Sequence, residues 1–477
     1  MAMGGLLTAL VLAARLAVAG TDPAEVQARA PDGATALQLA VYAGDVGRTK
    51  RLLEAGADVR AANNYGATAL QLAADAADPS LIRLLLDAGA DADSPNPDGE
   101  TALMLVARTN RVDAAKLLLD HGAHVNAREQ WRGQTALMWA AAQGQPDMVR
   151  LLLQRGAQPD ARSSVNHWAR AATAEPRQQY RPAGGLTPLL FAARQGCVEC
   201  IRALVRGKAD LNLADPDGVT PLLMAAINAR FDAAALLLKS GADPNRWDKW
   251  GRTALYSAVD YNTLPAGGRP DRPSPDAITP LELTRQLLAA HADPDLQLKL
   301  LPPFRDLRQD RAGDRMLGLG TTALIRAAKA GDVDSVRLLL AGGADPNLPT
   351  AAGITPLHAA AGIGSFQLDT RGKDRAEKDC VEVAKTLVAA GARVSAVDNT
   401  GRTPLFGAAS WGWNAMIRFL VASGAGNTKD LQGFTPEDAA LGKGAGPVRF
   451  GIEPEVHTDS AELLRQLLPG TTLARQQ

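Results

Sequence analysis

Residues 66–91 read GATALQLAADAADPSLIRLLLDAGAD, and this stretch contains one complete structural unit. Thr68 can begin a first short helix, because its hydroxyl accepts a hydrogen bond from a backbone N–H that the helix leaves unpaired. A second helix starts near Pro79 and carries the apolar run LIRLLL. Gly89 then supplies the left-handed residue with which helices commonly end. The stretch therefore predicts two short helices in succession.

The same unit recurs along the chain. Seven of the ten intervals between successive copies are within one residue of 33, and the three longest mark insertions. A fixed period of this size indicates stacked supersecondary units that bury their apolar faces only against their neighbours. The copies begin at Gly33, Gly66, Gly99, Gly133, Gly185, Gly218, Gly251, Gly320, Gly353, Gly401 and, more weakly, Gly433.

Polar stretches with turn chemistry, such as Asn96-Pro97-Asp98-Gly99, separate the units and predict hairpin-like fingers. The residues T-[AP]-L-x-x-A-A through L-L-x-x-G-A-D-x-N resemble the ankyrin repeat, and the resemblance covers the chain from about residue 20 to 468. It implies an all-α, right-handed repeat solenoid of about eleven units, each a helix-turn-helix plus a finger, with long insertions.

The repeat positions define the expected organisation of the chain. They predict a signal peptide or degenerate half-repeat at 1–20, repeats one to four at 21–160, an insertion at 161–184, repeats five to the start of seven at 185–260, an insertion-bearing seventh repeat at 261–319, and repeats eight to eleven with a C-terminal cap at 320–477.

The first twenty residues allow two interpretations. They hold an apolar run of signal-peptide length that ends in Ala17-Val18-Ala19, but they lack a basic start, and Arg15 interrupts the run. The alternative is a degenerate half-repeat, although a terminal cap should be polar outside. We expect export to the periplasm or secretion, with a cytoplasmic location as the alternative, and no membrane span.

Composition and motifs exclude several classes of function. The chain holds 51 lysines and arginines against 51 aspartates and glutamates, whereas nucleic-acid binders need a positive surface. The glycine-rich residues 442–446 lack the spacing of a phosphate loop, and Asp215-Pro-Asp-Gly218 matches the turn of every unit better than a calcium site. His358 is expected to hydrogen-bond neighbouring backbone. We therefore predict no nucleic-acid partner, no catalytic residues, no cofactor and no metal.

The three cysteines give little redox evidence. Cys197 and Cys200 form Cys-x-x-Cys at the start of a second helix, but neither further zinc ligands nor a thioredoxin-like setting is evident. Repeat alignment favours a packed thiol at Cys200, and a bridge to Cys197 stays possible in an exported protein. Alignment places Cys380 near an exposed helix start.

Two residues depart from the repeat pattern. Lys208 and His291 stand where most units have the helix-ending glycine. A left-handed backbone costs a residue with a Cβ atom about 1 kcal/mol. Either these helices end differently or the two positions hold strain.

The concave groove that the resemblance implies is the expected partner site. The first-helix position two residues after the motif leucine would face it. The first six residues at this position are large and apolar, which predicts an exposed apolar patch; the alternative is that they fill gaps between adjacent helices. In order, the ten positions are Leu39, Leu72, Leu105, Trp139, Phe191, Met224, Ser257, Arg326, Ala359 and Gly407.

Fingers and insertions of repeats three to seven add aromatic and basic side chains to this expected site, and loops on a rigid scaffold commonly bind ligands. Solvated loops without function are the alternative. The predicted partner-binding residues are Trp131, Trp139, Trp168, Tyr180, Arg181, Phe191, Met224, Trp247, Trp250, Tyr261, Asn262 and Arg269.

These observations predict a monomeric, non-enzymatic scaffold that binds a protein partner. One alternative is a secreted effector that binds a host protein inside another cell. Another is a small-molecule binder or enzyme with a site built by the central insertions, in which Arg269, Arg305 and Tyr261 would supply the polar groups.

Overall fold

The computed structural model describes residues 23–166, 183–263, 276–300, 318–363, 376–444 and 455–469. Within these ranges the chain forms 23 α-helices, and pairs of short and longer helices follow one another as the repeat predicts. The helices are Pro23–Gln27, Ala36–Tyr42, Val46–Glu54, Ala69–Asp75, Pro79–Asp87, Ala102–Ala107, Val112–Asp120, Ala136–Ala142, Pro146–Gln154, Pro188–Gln195, Val198–Arg206, Pro221–Ile227, Phe231–Lys239, Ala254–Asn262, Pro280–Ala289, Ala323–Ala330, Val333–Ala341, Pro356–Ala360, Glu377–Ala389, Pro404–Ser410, Asn414–Ala422, Pro436–Ala440 and Thr458–Leu467.

The threonine of each motif begins the first helix, and in the second repeat it also ties that helix to the next finger. The Thr68 hydroxyl accepts the backbone N–H of Gln71 at 3.3 Å, and Gln71 Oε1 accepts the N–H of Thr68 at 3.0 Å. Gln71 Nε2 then donates to the carbonyl of Ser94 at 3.0 Å. One side chain thus completes the capping box and fixes the following turn.

Second helices are amphipathic and bury one face. In Pro79–Asp87 the buried residues are Leu81, Ile82, Leu85 and Leu86, and the carboxylate of Asp78 accepts the N–H of Leu81 at 3.3 Å. Burial of such leucine side chains contributes roughly 1.5–3 kcal/mol each. The apolar face of each helix, rather than a central core, therefore stabilises the fold.

Contacts divide the chain into two units, with the described residues up to 216 in the first and those from 217 in the second. In the first unit, the first helices of repeats one to five pack each against the next, as do their second helices. The second unit repeats this two-layer arrangement from Pro221–Ile227 onwards. None of the described helices is both long and apolar enough to cross a bilayer.

The backbone is left-handed at the two positions where the sequence lacks glycine. Lys208 has φ of 63° and His291 has φ of 62°, so both helices end as the glycine-containing ones do and these positions hold strain. Ala77, Asn110 and Ala229 are also left-handed. The repeat pattern does not predict these three positions, which lie just after first helices.

Two expectations about cysteine are corrected. Cys200 is fully buried, as predicted, but it forms a disulfide with Cys197 instead of remaining a thiol. Cys380 is buried instead of lying near an exposed helix start. The reason is that helix Glu377–Ala389 begins three residues before Cys380. Cys380 therefore belongs to the first turn of this helix, and its side chain packs against Gly331.

Candidate binding surface

The expected apolar patch on the first helices is smaller than predicted. Leu39 is 36% exposed, and Leu72 and Trp139 are partly exposed. Leu105, Phe191 and Met224 are buried, so the expectation of exposure is wrong for these three residues. Adjacent first helices pack closely, and each of these side chains fills the space beside its own helix.

Trp139 and Phe191 lie on neighbouring first helices of the first unit, and each carries a cation over its ring. The Arg108 guanidinium lies 5.3 Å from the Trp139 ring, and that of Arg194 lies 5.1 Å from the Phe191 ring. The buried Nε1 of Trp139 has no hydrogen-bond acceptor in the described part of the chain. Basic groups therefore cover part of the apolar surface here.

The later groove positions are closed to solvent in the second unit. Ser257, Arg326, Ala359 and Gly407 are all buried. The Arg326 Nε donates to Asp260 Oδ1 at 2.7 Å. This ion pair between two first helices was not expected from the repeat pattern, which gives no reason for a buried arginine at a position that is apolar in most other units.

The fourth finger, residues 129–133, presents the most exposed tryptophan of the described residues. The buried Glu129 carboxylate accepts the backbone N–H groups of Trp131 at 2.7 Å, Arg132 at 2.9 Å and Gln134 at 2.7 Å. The Trp131 ring is 75% exposed, and its Nε1 donates to Asp98 Oδ1 at 3.0 Å. The side chain is thus exposed and held in position at the same time.

The seventh finger, residues 247–251, carries two tryptophans in different settings. Trp250 is only 7% exposed, with the Lys249 Nζ at 4.4 Å and the Arg252 Cζ at 4.9 Å from its ring centroid. Trp247 is 46% exposed, and the Lys299 Nζ lies 4.0 Å from its ring. Trp247 is therefore the more available of the two for a partner.

Asp248 organises this finger. Its carboxylate accepts the N–H of Trp250 at 3.0 Å and the Nε of Arg252 at 2.7 Å. Burial raises the pKa of the Asp248 carboxyl, and the charge of Arg252 opposes this shift. The repeating acid of the turns is thus a structural acceptor for backbone N–H groups.

Tyr261 and Asn262 contact neighbouring helices of their own unit. The Tyr261 hydroxyl donates to the Ile227 carbonyl at 3.0 Å, and its ring meets that of Phe231 edge-on at 5.5 Å. Asn262 Nδ2 donates to Asp332 Oδ2 at 2.6 Å. Both residues therefore have structural roles, which account for their presence without a ligand.

Five residues that the sequence analysis names for a binding site are not described by the structure. Trp168, Tyr180, Arg181, Arg269 and Arg305 all lie outside the described residues.

A cleft of about 590 Å³ lies between fingers of the second unit. Trp247, Lys299 and Thr350 are among its lining residues, and so is Asp295, whose carboxyl has a pKa raised by burial. Asp295 accepts the backbone N–H of Asp345 at 3.0 Å. The volume is that of a small-ligand pocket, but the lining places no nucleophile beside a base.

His358 has the role that the sequence predicts. The ring is buried, its Nδ1 accepts the backbone N–H of Thr355 at 3.2 Å, and its Nε2 lies 3.0 Å from the Arg402 carbonyl. Burial lowers the pKa of this imidazole. Among the described residues, no group of three or more potential metal ligands comes together.

Models of ankyrin repeats match most of the chain. The model for ankyrin repeats in three copies matches residues 5–96, 73–163, 165–248 and 189–266. Models for many copies and for a single repeat match residues 320–368 and 352–399. The chain belongs to the ankyrin repeat family. Ankyrin repeats are protein-protein interaction modules, which accords with the exposed side chains on the fingers.

Two further similarities cover parts of the chain. The potassium channel KOR1 of Oryza sativa subsp. japonica is 32% identical over 143 residues, which are 30% of this chain and 15% of the channel. The crystal structure of the ankyrin repeat domain of Bcl-3 is 27% identical, with a TM-score of 0.39, and the match covers 47% of this chain and 93% of that domain. This chain thus spans a small part of the channel's length.

Proposed function

We propose that this ankyrin chain is a non-enzymatic scaffold that binds a partner protein through exposed finger and first-helix side chains. The observation that carries the proposal is Trp131, which is exposed while its ring is fixed by a hydrogen bond to Asp98. A large aromatic side chain that is already ordered loses little entropy on binding. Tryptophan is also enriched among the residues that dominate binding energy.

Neighbouring fingers of the first unit extend this surface. The third finger, residues 96–100, contacts the second finger at Gly66 and the fourth at Gln130. Tyr65 is an exposed aromatic residue of the second finger. Trp131 therefore belongs to a row of finger tips that a protein partner could contact together, and this row is more open than the first helices.

The second unit supplies a separate exposed aromatic residue, Trp247. Lys299 lies over its ring, which gives the surface a cation beside an apolar face. We propose that Trp131 and Trp247 are the main partner-binding residues of the twelve that the sequence predicts. Phe191, Met224 and Trp250 are buried, so they would contribute to the stability of the scaffold rather than contact the partner.

Capture of partner proteins from cells of the source organism tests this function. The comparison uses wild type, the Trp131→Ala and Trp247→Ala double variant, and a control with Arg83→Ala and Lys116→Ala on exposed second-helix faces. We expect wild type and the control to capture the same partner and the double variant to lose it. Equal capture by all three proteins would contradict the proposal.

The affinity of the captured partner then gives the size of the effect. Loss of one dominant aromatic residue costs about 2 kcal/mol, which is roughly a 30-fold weaker Kd. A change below about threefold for Trp131→Ala would remove this residue from the site, since 0.7 kcal/mol is a typical peripheral contribution.

We also propose that the chain acts as a monomer in an oxidising compartment. The Cys197–Cys200 bridge supports this location, because disulfides persist mainly outside the cytosol. A signal peptide would fit this location, whereas the family match that begins at residue 5 favours the half-repeat interpretation of the first residues. Mass spectrometry of the mature N-terminus tests export, and light scattering tests the oligomeric state.

A further inference from the structure

Cys197 occupies a helix position that aspartate holds in three other repeats. It is the N-cap of helix Val198–Arg206, and its Sγ accepts the backbone N–H of Cys200 at 3.2 Å. At the equivalent helix starts, Asp45, Asp78 and Asp332 accept N–H groups at 2.8, 3.3 and 3.2 Å. The site therefore suits a negatively charged acceptor, and a thiolate of Cys197 would fit it.

This preference acts on the balance between disulfide and dithiol. A thiolate accepts the N–H groups at a helix start better than a neutral disulfide sulfur does, so the helix end stabilises the reduced pair. A disulfide whose reduced form is stabilised is an oxidant toward other thiols. The Cys197–Cys200 bridge is therefore disposed to exchange, beyond any role in holding the turn.

Access differs between the two sulfurs. Cys200 is fully buried, whereas Cys197 is partly exposed at the turn that follows helix Pro188–Gln195. The Cys197 sulfur also lies beside Gly144, where a Cβ atom would be 4.0 Å from it. An incoming thiolate thus reaches Cys197 and not Cys200.

We propose that Cys197–Cys200 is a thiol-disulfide exchange site that oxidises paired thiols of a peptide or protein. A substrate thiolate attacks Cys197 Sγ, the S–S bond breaks, and Cys200 leaves as a thiolate that takes up a proton. The second substrate thiol, after losing its proton, attacks the substrate sulfur of this mixed disulfide. Cys197 leaves as a thiolate, so the substrate gains one disulfide and the protein gains the two electrons.

Another repeat of the chain has the same helix start without cysteines. Residues 197–200 read CVEC, and residues 332–335 read DVDS at the equivalent helix start, where Ser335 is also fully buried. The double substitution Cys197→Asp and Cys200→Ser therefore restores a pair that this fold already accepts. It should remove the exchange while keeping the thermal unfolding midpoint close to that of wild type.

The test uses the oxidised full-length chain and a synthetic peptide with two cysteines. Mass spectrometry after acid quenching should show peptide oxidation to one equivalent by wild type and by a Cys380→Ala control, with complete loss in the double variant. A peptide with one cysteine should form a mixed disulfide on Cys197, which alkylation and digestion would locate.

Three results would overturn the proposal. The first is a folded chain whose bridge reacts with the peptide only after denaturation, which would make it purely structural. The second is a mixed disulfide on Cys200 or Cys380. The third is a pair that stays reduced after exposure to air. None of these outcomes bears on the partner surface at Trp131, which the proposed scaffold function uses independently.

Discussion

The fourth and seventh fingers contain the same kind of residue with opposite exposure. Trp131 is 75% exposed, whereas Trp250 is 7% exposed. Both fingers have a buried acid that accepts backbone N–H groups, Glu129 in one and Asp248 in the other. The exposure of the two tryptophans differs because two cations stack on Trp250, while Trp131 is held to the third finger by a single hydrogen bond.

Position within the repeat does not decide this difference. Tyr65 precedes Gly66 as Trp250 precedes Gly251, yet Tyr65 is exposed. The backbone at Lys299 also lies against Trp250, since the Trp250 carbonyl accepts the backbone N–H of Lys299 at 2.8 Å. Exposure of a finger residue therefore depends on its neighbours in space more than on its place in the motif.

The largest expected effect separates the two tryptophans by stability. Trp250→Ala should lower the free energy of unfolding by about 3 kcal/mol, because it removes a buried ring and leaves a cavity. Trp131→Ala should change it by less than about 0.5 kcal/mol, as exposed substitutions usually do. Urea unfolding followed by circular dichroism measures both. Equal losses of unfolding free energy in the two variants would contradict this prediction.

The second effect concerns the acids that organise the fingers. Asp248→Asn should cost about 2 kcal/mol and Glu129→Gln about 1 kcal/mol, because each amide keeps only one acceptor oxygen for several N–H donors. The loss is larger at Asp248, since Arg252 also loses its ion pair. The same unfolding experiment checks the order, and a larger loss at Glu129 would contradict it.

Much of this architecture follows from the sequence, for a physical reason. Each Thr-Ala/Pro-Leu begins a helix through contacts within a few residues, as the Thr68 and Gln71 hydrogen bonds illustrate. Family membership and the helix pairs could therefore be predicted from local chemistry. The prediction that His358 hydrogen-bonds neighbouring backbone is also confirmed, because its partners are set by the repeat itself.

The candidate site was harder to predict, since it depends on contacts between repeats. Phe191 and Met224 have the residue types of a binding groove, but each is buried beside a neighbouring first helix of its own unit. Arg326 was expected in the groove and instead pairs with Asp260 on a helix that an insertion separates from it in sequence. No pattern within one repeat contains that information.

The comparison of fingers extends to pH through the tenth finger. The tenth finger, residues 398–402, is held by the neutral imidazole of His358, whose Nε2 bonds the Arg402 carbonyl. Burial lowers the pKa of His358 below its ordinary value of 6.5. As the pH falls below 6.5, the unfolded chain takes up a proton that the folded chain does not, so stability decreases.

His358→Gln should remove that part of the pH dependence. Glutamine already occupies the equivalent position at Gln38 and Gln71, where it makes the same capping bonds without titrating. Thermal unfolding of wild type and variant between pH 7 and pH 5 should therefore diverge, with wild type losing more stability on acidification. Parallel curves would show that His358 does not control this finger.

The smallest effect on stability tests what holds Trp131 in place. Asp98→Ala should change the free energy of unfolding by less than about 0.5 kcal/mol, because the hydrogen bond to Trp131 Nε1 is exposed. The ring should nevertheless become less ordered. Exchange of its indole N–H with solvent, assigned in NMR spectra against Trp131→Phe, should therefore accelerate. If exchange stays unchanged, packing against the third finger orders the ring without Asp98, and the hydrogen bond is not what distinguishes Trp131 from Trp250.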